Sequence, residues 1–251
     1  MKKTAFITGT TSGIGKATAK LLAQNGYQLV CCGRRTNLLE ELKEELSAIT
    51  EVTTLAFDVR DQQEVEKAIS SLPTAFRQID LLINNAGNAH GLASFEEASM
   101  KDWNAMIDIN VKGLLYVSQP IVQDMVKRKT GHIINIGSIA GKETYPNGNV
   151  YCASKHAVDA INSSMRIDLN KYGIKVSQVA PGLVETEFSM VRFKGDEERS
   201  RSVYENYEAL QANDIADLIL FIATRPAHVN IADVLVLPNA QASSTLVNKG
   251  N

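Results

Sequence analysis

Tyr151 and Lys155 stand four positions apart in the segment YCASK, at the start of a stretch whose apolar spacing predicts a helix. Side chains at positions i and i+4 of a helix are neighbours, so the phenol and the ammonium group would share one face. A phenol with an ordinary pKa near 10 is a poor base at neutral pH. A cation about 4 Å away stabilises phenolate by up to roughly 4 kcal/mol at an effective dielectric near 20, which brings that pKa toward 7. The pair is therefore a candidate for proton transfer, although the same spacing also occurs in ordinary surface pairs.

Two more polar residues are predicted to lie near this pair. Ser138 ends the apolar run HIINIGS, thirteen residues before Tyr151, so the two can converge at the carboxyl edge of a sheet. A serine hydroxyl at that place can donate a hydrogen bond to a substrate oxygen. Asn110 lies in the predicted helix MIDINVKG, where an amide that faces inward needs a partner.

The segment TGTTSGIG, residues 8–15, predicts a phosphate-binding loop. It follows the first apolar run and opens the first helix, and its glycines at 9, 13 and 15 let the backbone approach a ligand closely. A helix N-terminus offers free N–H groups and the positive end of a dipole to a pyrophosphate. A glycine-rich structural turn is the alternative, but the position between strand and helix favours a dinucleotide.

The end of the second apolar run, CCGRRTN, indicates which dinucleotide. Gly33 stands where a carboxylate commonly binds the ribose 2′-hydroxyl of NAD, and Arg34 and Arg35 follow it. Guanidinium groups bind a phosphate through paired hydrogen bonds, whereas a carboxylate would repel it. We therefore predict NADP rather than NAD. Two solvated arginines at the start of a helix would explain the charge but not the missing acid.

Seven short apolar runs alternate with longer amphipathic segments along the chain. This alternation predicts a single α/β domain over residues 1–251, a Rossmann-type doubly wound parallel sheet of about seven strands with helices on both faces. The rhythm breaks at residues 185–210, which are charged and poorly periodic. An insertion after a strand of such a sheet is where a substrate lid would lie. A solvated surface loop is the alternative.

Composition excludes several classes of function. A formal net charge of −2 gives no general attraction to nucleic acid or to an anionic membrane, and no apolar stretch approaches the length of a spanning helix. Three cysteines form neither a disulfide framework nor a zinc motif, and no cluster of histidines and acids indicates another metal. We therefore expect a cytoplasmic protein without a metal.

Together these segments resemble the classical short-chain dehydrogenase/reductase family. TGTTSGIG, the DV at 58–59, NNAG at 84–87, the IN that ends at Asn110, the GS that ends at Ser138, YCASK and the PG at 181–182 occur in the order of that family. The resemblance covers essentially the whole chain. It implies an oxidoreductase that uses a nicotinamide cofactor and is usually a homotetramer, built through the long helices near Lys101 and Tyr151 and through the last strand. Whether the tail at 241–251 crosses to a neighbouring copy is not decided by the sequence.

The resemblance also implies roles for individual residues. Tyr151 would be the general acid/base, Lys155 would lower its pKa and bind the nicotinamide ribose, Ser138 would orient the substrate carbonyl, and Asn110 would hold a water that relays protons. The residues implied to bind the cofactor are Gly9, Thr11, Ser12, Gly13, Ile14, Gly15, Arg34, Arg35, Asp58, Val59, Asn85, Ala86, Gly87, Tyr151, Lys155, Pro181, Gly182, Val184 and Thr186.

A narrower resemblance indicates the substrate. VRFKGD at 191–196 and PAHVNI at 226–231 are similar to NADP-dependent serine and 3-hydroxy acid dehydrogenases, which oxidise the 3-hydroxyl of small acids of the serine, allo-threonine and 3-hydroxypropionate type. Such a substrate carries a carboxylate, for which Arg192 and Lys194 are candidates, with Arg192 preferred for its bidentate geometry. The alternatives are other carbonyl substrates, namely 3-oxoacyl thioesters, diketones or aldehydes, and a non-catalytic NADPH-binding regulatory protein.

Overall fold

Nine parallel strands form the frame of the computed structural model, which describes residues 2–250. They are β1 (Thr4–Thr8), β2 (Gln28–Gly33), β3 (Val52–Ala56), β4 (Leu81–Asn84), β5 (His132–Ile136), β6 (Lys175–Pro181), β7 (Val184–Glu185), β8 (Leu210–Gln211) and β9 (Asp233–Val236). Seven of them form one sheet in the order β3-β2-β1-β4-β5-β6-β9, and β7 pairs with β8 in a small separate sheet. The strand order reverses direction between β1 and β4, which opens a crevice at the carboxyl ends of these strands.

Helices occupy the connections between the strands. They are α1 (Gly13–Gln24), α2 (Thr36–Ser47), α3 (Gln62–Ser70), α4 (Met100–Ile107), α5 (Gly113–Arg128), α6 (Asn149–Leu169), α7 (Phe188–Arg192), α8 (Glu197–Ser202) and α9 (Ala212–Ala223). A π-helical segment, Asp108–Lys112, joins α4 to α5, and single 3₁₀ turns lie at Thr74–Phe76, Ile139–Gly141 and Asn170–Tyr172.

Both faces of the large sheet are buried because successive strand residues point in opposite directions. In β1, Ala5 and Ile7 pack with α1, α2 and α9, whereas Phe6 packs with α3 and α5 on the other face. This explains why the strands are apolar throughout instead of alternating with polar residues. The predicted doubly wound sheet with helices on both faces is confirmed, and each of the seven apolar runs contains one of its strands.

Residues 185–210 differ from a structureless loop. They contain α7 and α8, and the segment begins and ends at the two-stranded sheet, where Val184 pairs with Leu210 and Glu185 with Gln211. The chain therefore leaves the large sheet after β6, forms a compact helical excursion, and returns directly into α9. We call residues 185–210 the lid segment, as predicted from the sequence; its role as a substrate lid stays a prediction.

The C-terminal tail packs on its own chain over the residues that are described. Gln241 is buried, its side-chain oxygen accepts a hydrogen bond from the Leu183 N–H at 2.9 Å, and it pairs with Val247 in an isolated bridge. The Ser244 N–H donates to the Glu143 carboxylate at 2.8 Å. Among the described residues, no helix is both long and apolar enough to cross a bilayer.

Candidate active site

A cavity of about 550 Å³ lies at the carboxyl edge of β1, β4, β5 and β6, between this edge and the lid segment. Nearly all of the residues predicted to bind cofactor or substrate line it, although they come from segments spread over most of the chain. Gly15, Asn110 and Lys194 are not among the lining residues. Gly15 and Asn110 instead support residues that are, as described below.

The glycine loop is held by direct contact between backbone segments. A Cβ atom on Gly15 would lie 2.2 Å from the Gly9 carbonyl oxygen, so no other residue fits there without moving the loop. The Asn85 side-chain amide donates to the carbonyl oxygens of Thr8 at 2.8 Å and Gly9 at 3.2 Å. Ser12 precedes α1 without using its side chain to cap the helix. The loop and the first turn of α1 therefore present backbone N–H groups at the cavity.

The two arginines after β2, Arg34 and Arg35, line the cavity, and both have carboxylate partners. The Arg34 guanidinium is 3.6 Å from Asp58, and the Arg35 guanidinium is 3.0 Å from Glu187 of the lid segment. Asp58 also receives hydrogen bonds from Arg60 at 2.6 to 3.0 Å. Burial acts to raise the pKa of Asp58, but the hydrogen bonds from Arg60 and the nearby charges of Arg60 and Arg34 lower it below its ordinary value. The chain has no acid at the end of β2, yet folding brings two from elsewhere.

Tyr151 lies in the first turn of α6 and is buried, with its ring centroid 5.7 Å from that of Phe188. Burial raises the pKa of Tyr151 above its ordinary value, and the nearby Ser138 hydroxyl and Arg192 charge act in the opposite direction without overcoming it. The expectation that Lys155 brings this phenol near neutrality is therefore not met by the protein atoms alone. The spacing of Tyr151 and Lys155 does not include the free-energy cost of charging a phenolate away from water, and that cost raises the pKa here.

Lys155 is buried one turn further along α6. Its Nζ donates to the Ile136 carbonyl oxygen at 3.0 Å, and burial lowers its pKa to about 8. A Cβ atom on Gly141 would lie 2.6 Å from the Lys155 carbonyl oxygen, so the turn after Ser138 rests directly on the backbone of α6. Backbone packing therefore sets the separation of Ser138 from the helix that carries Tyr151 and Lys155.

Asn110 lies in the π-helical segment, where the helix widens locally. Its side chain accepts from the Asn88 N–H at 2.9 Å and donates to the Asn88 carbonyl at 2.9 Å and to Ser154 Oγ at 3.0 Å. The predicted need for an inward partner is thus met by the chain itself. Asn110 fixes the strand-end segment that contains Asn88, and a relayed water could use only its remaining oxygen lone pair.

Arg192 ends α7 and reaches into the cavity from the lid segment. Its guanidinium carbon lies 5.5 Å from the ring centroids of both Tyr145 and Tyr151, and its Nη2 donates to the Tyr145 hydroxyl at 3.0 Å. Lys194, the other candidate cation, instead forms an ion pair with Asp102 at 2.8 Å outside the cavity. Of the two, the structure places only Arg192 beside the phenol.

The sequence pattern of the family described as short chain dehydrogenase matches residues 3–197. The chain belongs to the short-chain dehydrogenase family. NADP-dependent 3-hydroxy acid dehydrogenase YdfG of Salmonella typhi is 44% identical over 242 residues, which cover 96% of this chain and 97% of that protein. Sulfoacetaldehyde reductase 2 of Chromohalobacter salexigens is 43% identical over 245 residues, 97% of each chain.

The fold agrees with solved members of the short-chain dehydrogenase family. The structure described as the closed form of serine dehydrogenase complexed with NADP⁺ is 40% identical and superposes with a TM-score of 0.93, over 97% of this chain and 98% of that chain. The predicted family, and its narrower likeness to serine and 3-hydroxy acid dehydrogenases, is confirmed.

Three cavity residues of this short-chain dehydrogenase belong to no motif of the sequence, although Phe188 lies within the predicted lid at 185–210. Tyr145 lies in the polar stretch between Ser138 and α6, Phe188 opens α7, and Ser244 lies in the tail, yet all three line the cavity. Tyr145 and Ser244 lie in irregular segments, and α7 is only five residues long, so no periodicity marks these residues. A tyrosine and a phenylalanine in otherwise polar segments are the only trace the sequence offers of Tyr145 and Phe188.

Proposed function

We propose that this chain is an NADP(H)-dependent oxidoreductase that transfers hydride between nicotinamide and the 3-hydroxyl or 3-oxo group of small 3-hydroxy acids. The observation that carries the proposal is the position of the Arg192 guanidinium, 5.5 Å from the ring of Tyr151. A cation for an anionic substrate thus lies beside a candidate proton-transfer group. The name of the Salmonella typhi relative, which specifies NADP and 3-hydroxy acids, supports the same chemistry.

The cavity fits the phosphorylated dinucleotide. The glycine loop, whose Gly9, Ser12 and Gly13 line the cavity, and the uncapped start of α1 suit a pyrophosphate. Arg34 and Arg35 suit a 2′-phosphate. Lys155, Pro181, Gly182, Val184 and Thr186 line the cavity, and the resemblance implies that they bind the nicotinamide end of the cofactor. When bound, the nicotinamide ring supplies or accepts the hydride.

The protein's own part in this reaction is to move a proton and hold the substrate. In carbonyl reduction the Tyr151 hydroxyl would donate its proton to the substrate oxygen, while the Ser138 hydroxyl would donate a hydrogen bond to the same atom. Lys155 would stabilise the phenolate that results, because an ammonium with a pKa of about 8 is charged at neutral pH. Oxidation of an alcohol would reverse each transfer.

Arg192 would bind the carboxylate of the substrate. Its Nε and Nη2 donate to the Gly91 carbonyl and to Tyr145, and these bonds fix the orientation of the guanidinium plane. Tyr145 would then have its hydroxyl hydrogen free to donate to the same anion, because its oxygen accepts from Arg192. An anchored cation and a phenol on one side suit a small anion better than a neutral ketone.

Initial rates with matched substrates test this proposal. L-Serine, 3-hydroxypropionate and 3-hydroxybutyrate are compared with neutral alcohols of the same chain length, each with NADP and NAD. We expect kcat/KM for the acids with NADP to exceed that for the neutral alcohols by at least tenfold, because a charged hydrogen bond contributes roughly 1.5–3 kcal/mol. Equal rates for acids and neutral alcohols would contradict the assignment of the substrate.

A second candidate function is reduction of small aldehydes that carry a sulfonate. The cation–phenol arrangement of Arg192 and Tyr145 would accept a sulfonate as readily as a carboxylate, and the Chromohalobacter relative is a sulfoacetaldehyde reductase. Including sulfoacetaldehyde in the rate comparison separates the two. Acyl thioesters and diketones would leave Arg192 without an anion, and a regulatory protein would have no need for buried Lys155; these alternatives have less support.

We also propose that the chain assembles as a homotetramer, as the family resemblance implies. Large apolar side chains are exposed on the surfaces that the resemblance implies: Leu115 on α5, Ile167 on α6 and Leu235 on β9. Burial of these side chains against further copies would remove their apolar surface from water. Sedimentation analysis checks the mass, and a monomer at micromolar concentration would contradict this assignment.

A further inference from the structure

We propose that Glu187 competes with the 2′-phosphate of the cofactor for Arg35, so that this lid residue limits the preference for NADP over NAD. The inference rests on the proposed use of NADP. It assigns to the lid segment a role in cofactor discrimination, in addition to its predicted role as a substrate lid.

Arg35 is shared between the cofactor loop and the lid segment. Its Nε and Nη2 donate to Thr11 Oγ1 at 3.1 and 2.9 Å, and its Nη1 donates to the Glu187 carboxylate at 3.0 Å. All three side chains belong to residues that line the cavity. One guanidinium therefore connects the glycine loop to the residue before α7.

The carboxylates of Glu187 and Asp58, the two acids near the arginines, differ in how far other cations compensate their negative charge. Asp58 is bound by Arg60 through several hydrogen bonds, so its negative charge is already compensated when Arg34 approaches at 3.6 Å. Among the described residues, Arg35 is the one basic group that forms an ion pair with Glu187. A phosphate that takes Arg35 would leave the Glu187 carboxylate unpaired and facing a second anion.

The sign of the effect follows from the charges. A phosphate monoester carries about −1.5 to −2 at neutral pH, and like charges brought to one cation repel. The 2′-phosphate must therefore displace the Glu187 carboxylate from Arg35 or bind close to its negative charge. Either event reduces the favourable free energy of the interaction between the phosphate and Arg35. Because coupling between two binding events is reciprocal, NADP would loosen this end of the lid segment, whereas NAD would leave the Arg35–Glu187 pair in place.

The expected size is modest because both side chains are about half exposed, with 43% of the Arg35 and 55% of the Glu187 side chain accessible. Exposed ion pairs contribute about 0.2–1 kcal/mol, which corresponds to a change of at most about fivefold in a dissociation constant. We expect the Glu187→Gln substitution to lower the Kd for NADPH about two- to fivefold and to leave the Kd for NADH unchanged.

Fluorescence titration of the full chain with NADPH and with NADH tests this without relying on turnover. Glu185→Gln is the matched control, because Glu185 lies in the same segment, accepts a hydrogen bond from Gln211 at 3.3 Å and does not line the cavity. It should leave both constants unchanged. In an Arg35→Gln background, the gain from Glu187→Gln should shrink, since the contested guanidinium is gone.

Three results would overturn the competition: an unchanged or larger Kd for NADPH in Glu187→Gln, an equal gain for NADH, or the same gain in Glu185→Gln. A wild-type chain that binds NADH as tightly as NADPH would instead overturn the cofactor assignment itself. A clear wild-type preference for NADPH without a response to Glu187→Gln removes only this inference.

Discussion

The two walls of the cavity are constructed differently. On the sheet side, strand ends, the glycine loop and α6 meet through close backbone contacts. Examples are the contact of Gly141 with the Lys155 carbonyl oxygen and that of Gly15 with the Gly9 carbonyl oxygen. On the lid side, residues in and next to α7 contact the rest of the chain through long side chains, Arg35 to Glu187, Lys194 to Asp102 and Arg192 to Gly91. They also do so through a backbone hydrogen bond from the Gly91 N–H to the Arg192 carbonyl oxygen at 2.8 Å. The reaction is therefore fixed by the sheet-side wall, which we call the rigid wall. Selection among substrates and cofactors depends on the lid wall, where exposed ion pairs make weak contributions.

Loss of the phenol should have the largest effect, because it removes chemistry from the rigid wall. We expect Tyr151→Phe to lower kcat by about 10²- to 10⁴-fold, the usual contribution of a general acid/base. The Kd for NADPH should stay within about twofold of wild type, since only a hydroxyl is removed. Initial rates and fluorescence titration check the two quantities. Undiminished turnover in a folded variant would remove the basis of the proposed mechanism.

On the same wall, the buried Lys155 should make the free energy of unfolding depend on pH. Burial lowers the pKa of Lys155 from 10.5 to about 8, so between these pH values the unfolded chain binds more protons and the stability of the folded chain rises with pH. Below pH 8 the full cost is present, about 3 kcal/mol at 1.36 kcal/mol per pKa unit. Lys155→Met lacks this titration. Its gain in unfolding free energy over wild type should therefore be greatest near pH 7 and decline between pH 8 and 10.5.

Urea unfolding of both proteins, without cofactor, at several pH values between 7 and 10.5 measures this difference. Other groups titrate in the same range, but they do so in both proteins and cancel in the comparison. A difference that stays constant over this range would show that Lys155 keeps an ordinary pKa in the folded chain. The variant should also lose most of its turnover, because Lys155 would no longer stabilise the Tyr151 phenolate.

On the lid wall, Arg192 should affect the choice of substrate more than the reaction. Arg192→Ala is expected to lower kcat/KM for 3-hydroxy acids by about 10- to 100-fold, the equivalent of one charge-assisted hydrogen-bonding group. Rates with neutral alcohols should fall much less, since they offer no anion. Arg192→Lys keeps the charge without the bidentate geometry and should restore part of the activity on acids. An equal loss for acids and neutral alcohols would assign Arg192 a structural role.

The smallest effect is expected where the lid segment is held to α4. Lys194→Ala breaks an ion pair with Asp102 in which 60% of the lysine side chain is accessible, so the free-energy change should be below about 1 kcal/mol. We expect KM to rise by no more than about fivefold, and equally for acids and neutral alcohols. A selective loss of activity on acids would instead place Lys194 in the anion site.

The same contrast explains what could be predicted from the sequence. The seven strands follow from short apolar runs, and Tyr151 and Lys155 follow from spacing within one helix, because these are local patterns. The position of Ser138 near Tyr151 follows because parallel strands end at the same edge of a sheet. The rigid wall was therefore accessible to sequence reasoning almost residue by residue.

The lid wall was not accessible in this way. Glu187 is 152 positions from Arg35 and both are exposed, so no periodicity or apolar run records their meeting. Tyr145 lies in an irregular turn region, and Ser244 reaches the cavity only because the tail folds back along its own chain. The raised pKa of Tyr151 was missed for a related reason, since burial is a property of the assembled fold and not of the YCASK segment.

The close contact between Gly141 and the backbone of α6 has a practical consequence for redesign. A residue larger than glycine there would push the serine-bearing turn off the helix and alter the alignment of hydroxyl, phenol and ammonium in a single step. Phe188, Val191 and Arg192 of α7 line the cavity from the lid side. A library that aims at new substrates for this scaffold can vary these three positions and should leave 138–141 and the buried Ser189 untouched.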